Sequence, residues 1–134
     1  MTHVRFILAS AAAVCLTATF LGVQAQAPAP FTRTVLQQGD LSIPGKEAVI
    51  ALAQFQPGGM SGRHVHPGEE LAYVVSGVIV VEVDGQPLKT VRDGEAIIVP
   101  AGKIHNARNV GTGIATVLAT YVVDKGKPVA TAVQ

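Results

Sequence analysis

The sequence predicts a single all-β domain, a sandwich or barrel of short strands. Three observations lead there. Turn-forming residues recur at short intervals along the chain. The stretches between them are short and rich in Val, Ile, Thr and Tyr. Beyond the first 25 residues no long segment repeats its apolar positions at helical spacing. The 134 residues suffice for one domain and leave little for a second.

Taken in order, the first element is not part of that domain. Thr2 to Arg5 make a short, weakly basic start, and Phe6 to Val23 are apolar or small without an acidic or basic residue. Small residues at Val23, Ala25 and Ala27 then offer cleavage sites. This three-part pattern is that of a helical secretory signal peptide over residues 1–25, with cleavage after Ala25 or after Ala27. The competing reading is a membrane anchor, since a run of this length could span a bilayer. Small residues end the run and no basic stop-transfer cluster follows, which favours cleavage. A periplasmic or secreted protein is expected, with no membrane contact once the signal is removed. The sole cysteine, Cys15, would leave with it, so neither a disulfide nor a thiolate ligand is expected.

Residues 26–30 are small and Pro-rich and read as a flexible lead-in to a domain over 31–134. Strands are expected at 32–37, 47–55, 70–76, 78–83, 88–91, 96–99, 104–109 and 114–123. Asp84-Gly85, between Val78–Val83 and Gln86–Val91, signals a tight hairpin. Several strands are apolar on both faces, notably 78–81 and 114–123. An isolated small sandwich would keep one face polar. The outer face of one sheet should therefore be covered, either by a second copy in a homodimer or by residues 31–55 of the same chain.

The net formal charge is +1, and Arg5 of the signal region is the one charged residue among the first 25. The remainder is balanced and carries no basic block, which argues against nucleic acid or an anionic membrane surface as partner. Gly111-Thr112-Gly113 lacks the strand-then-helix context of a phosphate loop and reads as a hairpin turn. Ser76 has no base near it in sequence, so it is not a candidate nucleophile.

The chemistry is concentrated in the histidines. There are four, and one of them, His3, lies in the signal region. His64 and His66 are two apart, so in a strand they share a face. Glu70 has the same parity, and Glu69 the opposite one. Arg63 and Tyr73 should also face away from the histidines. His105 lies beyond Pro100-Ala101-Gly102, where the chain can turn back. Three imidazoles and a carboxylate suit one divalent first-row metal: Fe, Mn, Ni, Cu or Zn.

These residues resemble the cupin family. Gly58, His64, His66, Glu70 and Gly77 match its first motif, G-x5-H-x-H-x3-E-x6-G, and Gly94, Pro100, Gly102, His105 and Asn109 match its second, G-x5-P-x-G-x2-H-x3-N. The motifs occupy 58–77 and 94–109, with a short spacer of 16 residues, as in small bacterial cupins. The resemblance implies a conical β-barrel of jelly-roll topology. It implies metal ligation by His64, His66, Glu70 and His105 near the barrel axis. It makes Asn109 a structural residue that satisfies loop backbone.

Quercetin dioxygenase-like cupins use this ligand set. The expected function is therefore that of an exported metal-dependent dioxygenase-type enzyme acting on a small hydrophobic or aromatic substrate, with Glu70 as ligand and base. The expected barrel lining, Ala72, Val74, Ile98 and Leu118, is apolar. No Arg or Lys pair marks a wall for carboxylate or phosphate, which weakens a sugar-phosphate isomerase reading. The alternatives are a non-catalytic metal-binding or small-ligand module, and a cupin decarboxylase, isomerase or lyase.

Overall fold

The computed structural model describes residues 29–134, all of them outside helices. The expected signal peptide, and residues 26–28 of the lead-in, lie outside the described residues. The strands are β1 (Phe31–Asp40), β2 (Lys46–Phe55), β3 (His64–Val65), β4 (Gly68–Ser76), β5 (Val78–Val83), β6 (Lys89–Arg92), β7 (Ala96–Val99), β8 (His105–Asn109), β9 (Ala115–Asp124) and β10 (Thr131–Ala132). They form two antiparallel five-stranded sheets, β1-β2-β9-β4-β7 and β10-β3-β8-β5-β6. The all-β jelly-roll-like fold is as expected.

Alternation along the strands selects the interior. In β2, β5 and β9 every second residue is buried. Opposite one another across β2 and β9 stand Val49 and Tyr121, Ala51 and Ala119, Ala53 and Val117, all buried. One cluster gathers around Phe55, Val74, Ile79 and Val91, and a second comprises Val49, Ala51, Ala119, Tyr121 and Val123. Each fully buried Val or Ile contributes about 1.5–3 kcal/mol.

Some expectations change. The strand expected at 32–37 runs on to Asp40, through a bulge between Val35 and Gln37, and the turn to β2 falls at Pro44-Gly45. The connection from β5 to β6 is not a two-residue hairpin. It takes Asp84 to Leu88, with Gly85 at φ 79°. Pro87 has no N–H for the ladder, so pairing resumes at Lys89, opposite Val81. The short strands β3 and β10 were not expected. Two residues apiece are too few to show a period, and they are strands only because they pair with each other and β3 with β8.

Residues 31–55 do not cover a sheet. They extend one, as β1 and β2 at its edge. The outer face of that sheet keeps Leu71, Tyr73, Val75 and Ile98 exposed. Two of the four expected lining residues are corrected here. Ala72 and Val74 point inward, but Ile98 is 64% exposed, and Leu118 stands on the outer side between buried Val117 and Ala119. Ile98 lies opposite Leu71, whereas Ile97 lies opposite inward Ala72. Ala96-Ile97-Ile98-Val99 is apolar at every position, so composition could not say which parity faces in.

Candidate metal centre

His64 and His66 stand on one side of the chain across β3, as their spacing requires. β3 pairs with β8 at a single register point, His64 against His105. That pairing brings the two motifs together. Glu70 projects inward from β4, opposite Val99 on β7 and Tyr121 on β9. Between His66 and Glu70 the chain must bend and then press against β9. Gly68 allows this: a Cβ there would lie 1.8 Å from the Val122 carbonyl oxygen. The turn Pro100-Ala101-Gly102 docks on the same segment, with the Gly102 N–H donating to the His66 carbonyl at 3.1 Å.

The structure brings all four predicted residues together. Their ligand atoms lie within 4.8 Å of one another. His66 and His105 are buried, and the Glu70 side chain is 13% exposed. The His64 ring centroid is 4.2 Å from that of His105 and 4.8 Å from that of His66.

Each ring is aimed by its other nitrogen. Nδ1–H of His64 donates to Gly62 O at 2.7 Å, that of His66 to Val129 O at 2.5 Å, and that of His105 to Lys103 O at 2.9 Å. A neutral imidazole with its proton on Nδ1 presents a lone pair at Nε2. Three Nε2 lone pairs therefore converge beside a carboxylate. Glu70 Oε2 is 3.1 Å from Nε2 of both His66 and His105. A lone pair facing a carboxylate oxygen repels it unless a cation sits between them. Adjacent ligands of a metal at about 2.1 Å are about 3 Å apart. The donor set and its spacing thus fit one first-row divalent ion.

Burial pushes the Glu70 carboxyl up, but the His105 and His66 rings outweigh it and hold the group at about 2. Burial, with help from the neighbouring histidines, pulls His64 down to about 4, so it is neutral and free to ligate. Burial also opposes protonation of His105, yet Glu70 and the Lys103 carbonyl raise it above its ordinary value. Glu69 is exposed and points away. Among the described residues the histidine Nδ1 atoms are held by backbone carbonyls and not by Glu69.

The centre opens on a cavity of about 280 Å³. His64, Glu70 and His105 form one part of its wall, and Phe31, Phe55, Ile79 and Val117 are among its apolar side chains. Three features were not read from the sequence. Val129, just ahead of β10, supplies the carbonyl that aims His66. Tyr121 packs its ring 4.7 Å from that of His66, and burial, with the charge of Glu70, pushes its phenol up to about 12. Two arginines, Arg33 and Arg63, reach the cavity wall, where no Arg or Lys pair was expected. Arg63 was expected to face outward. Its side chain is half exposed, at the rim, in an ion pair with Asp84 at 2.8 Å. Arg33 shares the inward parity of Phe31 in β1, a pattern present in the sequence but interrupted two residues later by the bulge.

Asn109 is structural, as the motif implied. It is 1% exposed, donates to Phe55 O and Gly113 O, and accepts from the Gly111 N–H.

Residues 51–121 match the family model described as Cupin domain. Germin-like protein 1-1 of Oryza sativa subsp. japonica is 32% identical over 88 residues, which are 60% of this chain and 41% of that protein. The chain spans about two fifths of the length of the curated relatives it matches. Among solved structures, an oxalate oxidase in complex with the substrate analogue glycolate superposes with a TM-score of 0.64 at 25% identity, covering 80% of this chain and 57% of that one. A cupin superfamily protein from Desulfitobacterium hafniense DCB-2 superposes with a TM-score of 0.60 at 24% identity, covering 75% of this chain and 84% of that one.

Proposed function

The chain belongs to the cupin domain family, and on that premise we propose that it is an exported, metal-dependent oxygenase-type enzyme acting on a small, largely apolar molecule. One observation carries the reading. Three Nε2 atoms and a carboxylate converge at the wall of a cavity whose other surfaces are mostly apolar side chains. Four protein ligands leave open positions on an ion that takes six, and here those positions would face a space able to hold a substrate. The likeness to an oxalate oxidase supports an enzyme over a non-catalytic binding module.

The chain's own residues would act as follows. The Nδ1–H bonds to Gly62, Val129 and Lys103 hold the imidazoles in the ligating tautomer. Glu70 would balance the charge of the ion, and its place in the cavity wall puts it where it could accept a proton from a substrate. The apolar wall excludes water. An ion of iron, manganese, nickel or copper would supply Lewis acidity and a redox centre for dioxygen, and zinc would supply Lewis acidity alone.

The test is elemental analysis of protein isolated without chelators or a histidine tag, beside His105→Ala, followed by oxygen uptake with candidate substrates. Near-stoichiometric redox-active metal, lost in His105→Ala, is the expected result. Zinc alone would turn the reading towards a lyase, an isomerase or a binding module. Absence of metal, with none taken up on reconstitution, would sink it.

The proposal includes export and a homodimer. Export is supported by the apolar run Phe6–Val23 and the small residues that follow. N-terminal sequencing of native protein should begin at Gln26 or Pro28, and an intact Met1 start would overturn it. A second copy is supported by the exposed Leu71, Tyr73, Val75 and Ile98 on one sheet face. Light scattering should give a dimer, and Ile98→Asp a monomer. A monomeric unsubstituted protein would refute it.

A further inference from the structure

The cavity wall carries two cations that the metal centre does not use, Arg33 and Arg63. Arg33 lies on β1 opposite Ala53 and turns inward with Phe31. It lines the same cavity as His64, Glu70 and His105. Its guanidinium carbon stands 5.6 Å from the centroid of the Tyr121 ring, and that ring packs against His66. One aromatic side chain therefore separates the guanidinium from a ligand ring, and the stacking holds the cation in place. The two cavity arginines differ in what they have left to offer. Arg63 spends its charge on Asp84. Arg33 makes no ion pair among the described residues. The carboxylate in the cavity wall, Glu70, is engaged by His66 and His105.

We propose that Arg33 anchors the carboxylate of a small substrate whose apolar body lies along the Phe31, Phe55 and Val117 wall. This rests on the reading of the cavity as a substrate site beside the metal centre. A planar guanidinium presents paired N–H donors that match a carboxylate edge, and such charge-assisted pairs are strong where water is scarce. A single available arginine suits a monoanion. A phosphate dianion would call for a second unspent cation, and Arg63 is already neutralised. The competing account is a clamp in which Arg33 only holds β1 onto Tyr121. A clamp would make no distinction between a charged ligand and its neutral isostere.

That distinction supplies the test. Calorimetric titration of the full-length protein, with its metal content measured, would compare glycolate and benzoate with glycolamide and benzamide. The acids should bind more tightly than the amides. Arg33→Met should weaken the acids by roughly tenfold to a hundredfold, leave the amides and the metal content unchanged, and spare the melting temperature. Arg33→Lys should fall between, because it keeps the charge and loses the fork. Arg92→Met, on exposed β6, should match the unsubstituted protein. Equal acid binding by Arg33→Met, an equal loss for acids and amides, or no binding of either acid at millimolar concentration would overturn the proposal. Should Arg33→Met not fold, Arg33→Lys decides: selective loss of the acids supports the anchor, and no loss refutes it. A protein that takes up no metal, yet binds acids through Arg33, would sink the metal-enzyme reading and sustain this one.

Discussion

Glu70 Oε2 lies 3.1 Å from Nε2 of His105, although 35 positions separate the two residues in the chain. His105 is protonated on Nδ1 towards Lys103, so this contact sets a lone pair against a carboxylate. Without a cation the protein must keep an extra proton there, on an imidazole that Glu70 raises.

Glu70→Gln tests that balance. The amide keeps the shape but removes the charge that favours an ion. Metal affinity should fall by at least about tenfold. Chelator treatment should lower the melting temperature of the unsubstituted protein and lower that of Glu70→Gln less, because a tightly bound ion stabilises the folded state by mass action. Competition with a chromogenic chelator and thermal melts read both. Equal affinity in the two proteins would remove Glu70 from the centre.

Asn109→Ala should cost stability without touching the centre directly. The substitution leaves the carbonyls of Phe55 and Gly113 and the N–H of Gly111 without their partner in a buried place. The expected loss is about 2–4 kcal/mol in urea denaturation. A loss under about 0.5 kcal/mol, the range of ordinary surface substitutions, would show that water replaces the amide at no cost.

Gly68→Ala should be worse. The added Cβ would overlap backbone of Val122, which has no flexible end to move aside, so β4 would part from β9 beside Glu70. We expect no folded protein, or a loss above about 3 kcal/mol. Gly113→Ala is the control. Nothing lies within 4 Å of its Cβ position and its φ is not positive, so it should stay within about 0.5 kcal/mol. Similar behaviour of the two variants in a melt would contradict the packing described.

Asp124 predicts a pH effect far from the centre. It pairs with Lys46 across β2 and β9 and with Lys127 in the following turn, and these bonds hold its carboxyl at about 2. A depressed carboxyl binds its proton more readily in the unfolded chain. Its contribution is therefore complete above the ordinary value near 3.8 and disappears as pH falls through about 2. Asp124→Asn should flatten the dependence of the denaturation midpoint on pH between those limits. The difference should shrink in high salt, since the pair is part-exposed. Parallel curves for both proteins would refute the assignment.

Much of this could be read from residue order. Turn signals, and the runs rich in Val, Ile, Thr and Tyr between them, placed eight of the ten strands, because turn residues and β-formers mark where a strand begins and ends. His64, His66 and Glu70 were legible as a group because they lie within seven residues and share parity. His105 joined them through its motif and through the scarcity of histidine. Tertiary structure decided what alternation and spacing do not encode. A run such as Ala96–Val99 is apolar at each position, and pairing with β4 turned Ile97 in and Ile98 out. β3 and β10 exist only in their partners' presence. The carbonyl of Val129 and the ring of Tyr121 reach the ligands, and Arg33 reaches their cavity, from three distant segments. Local sequence determines which side chains share a face of a strand. Only the closing of the two sheets determines which faces meet and what they enclose.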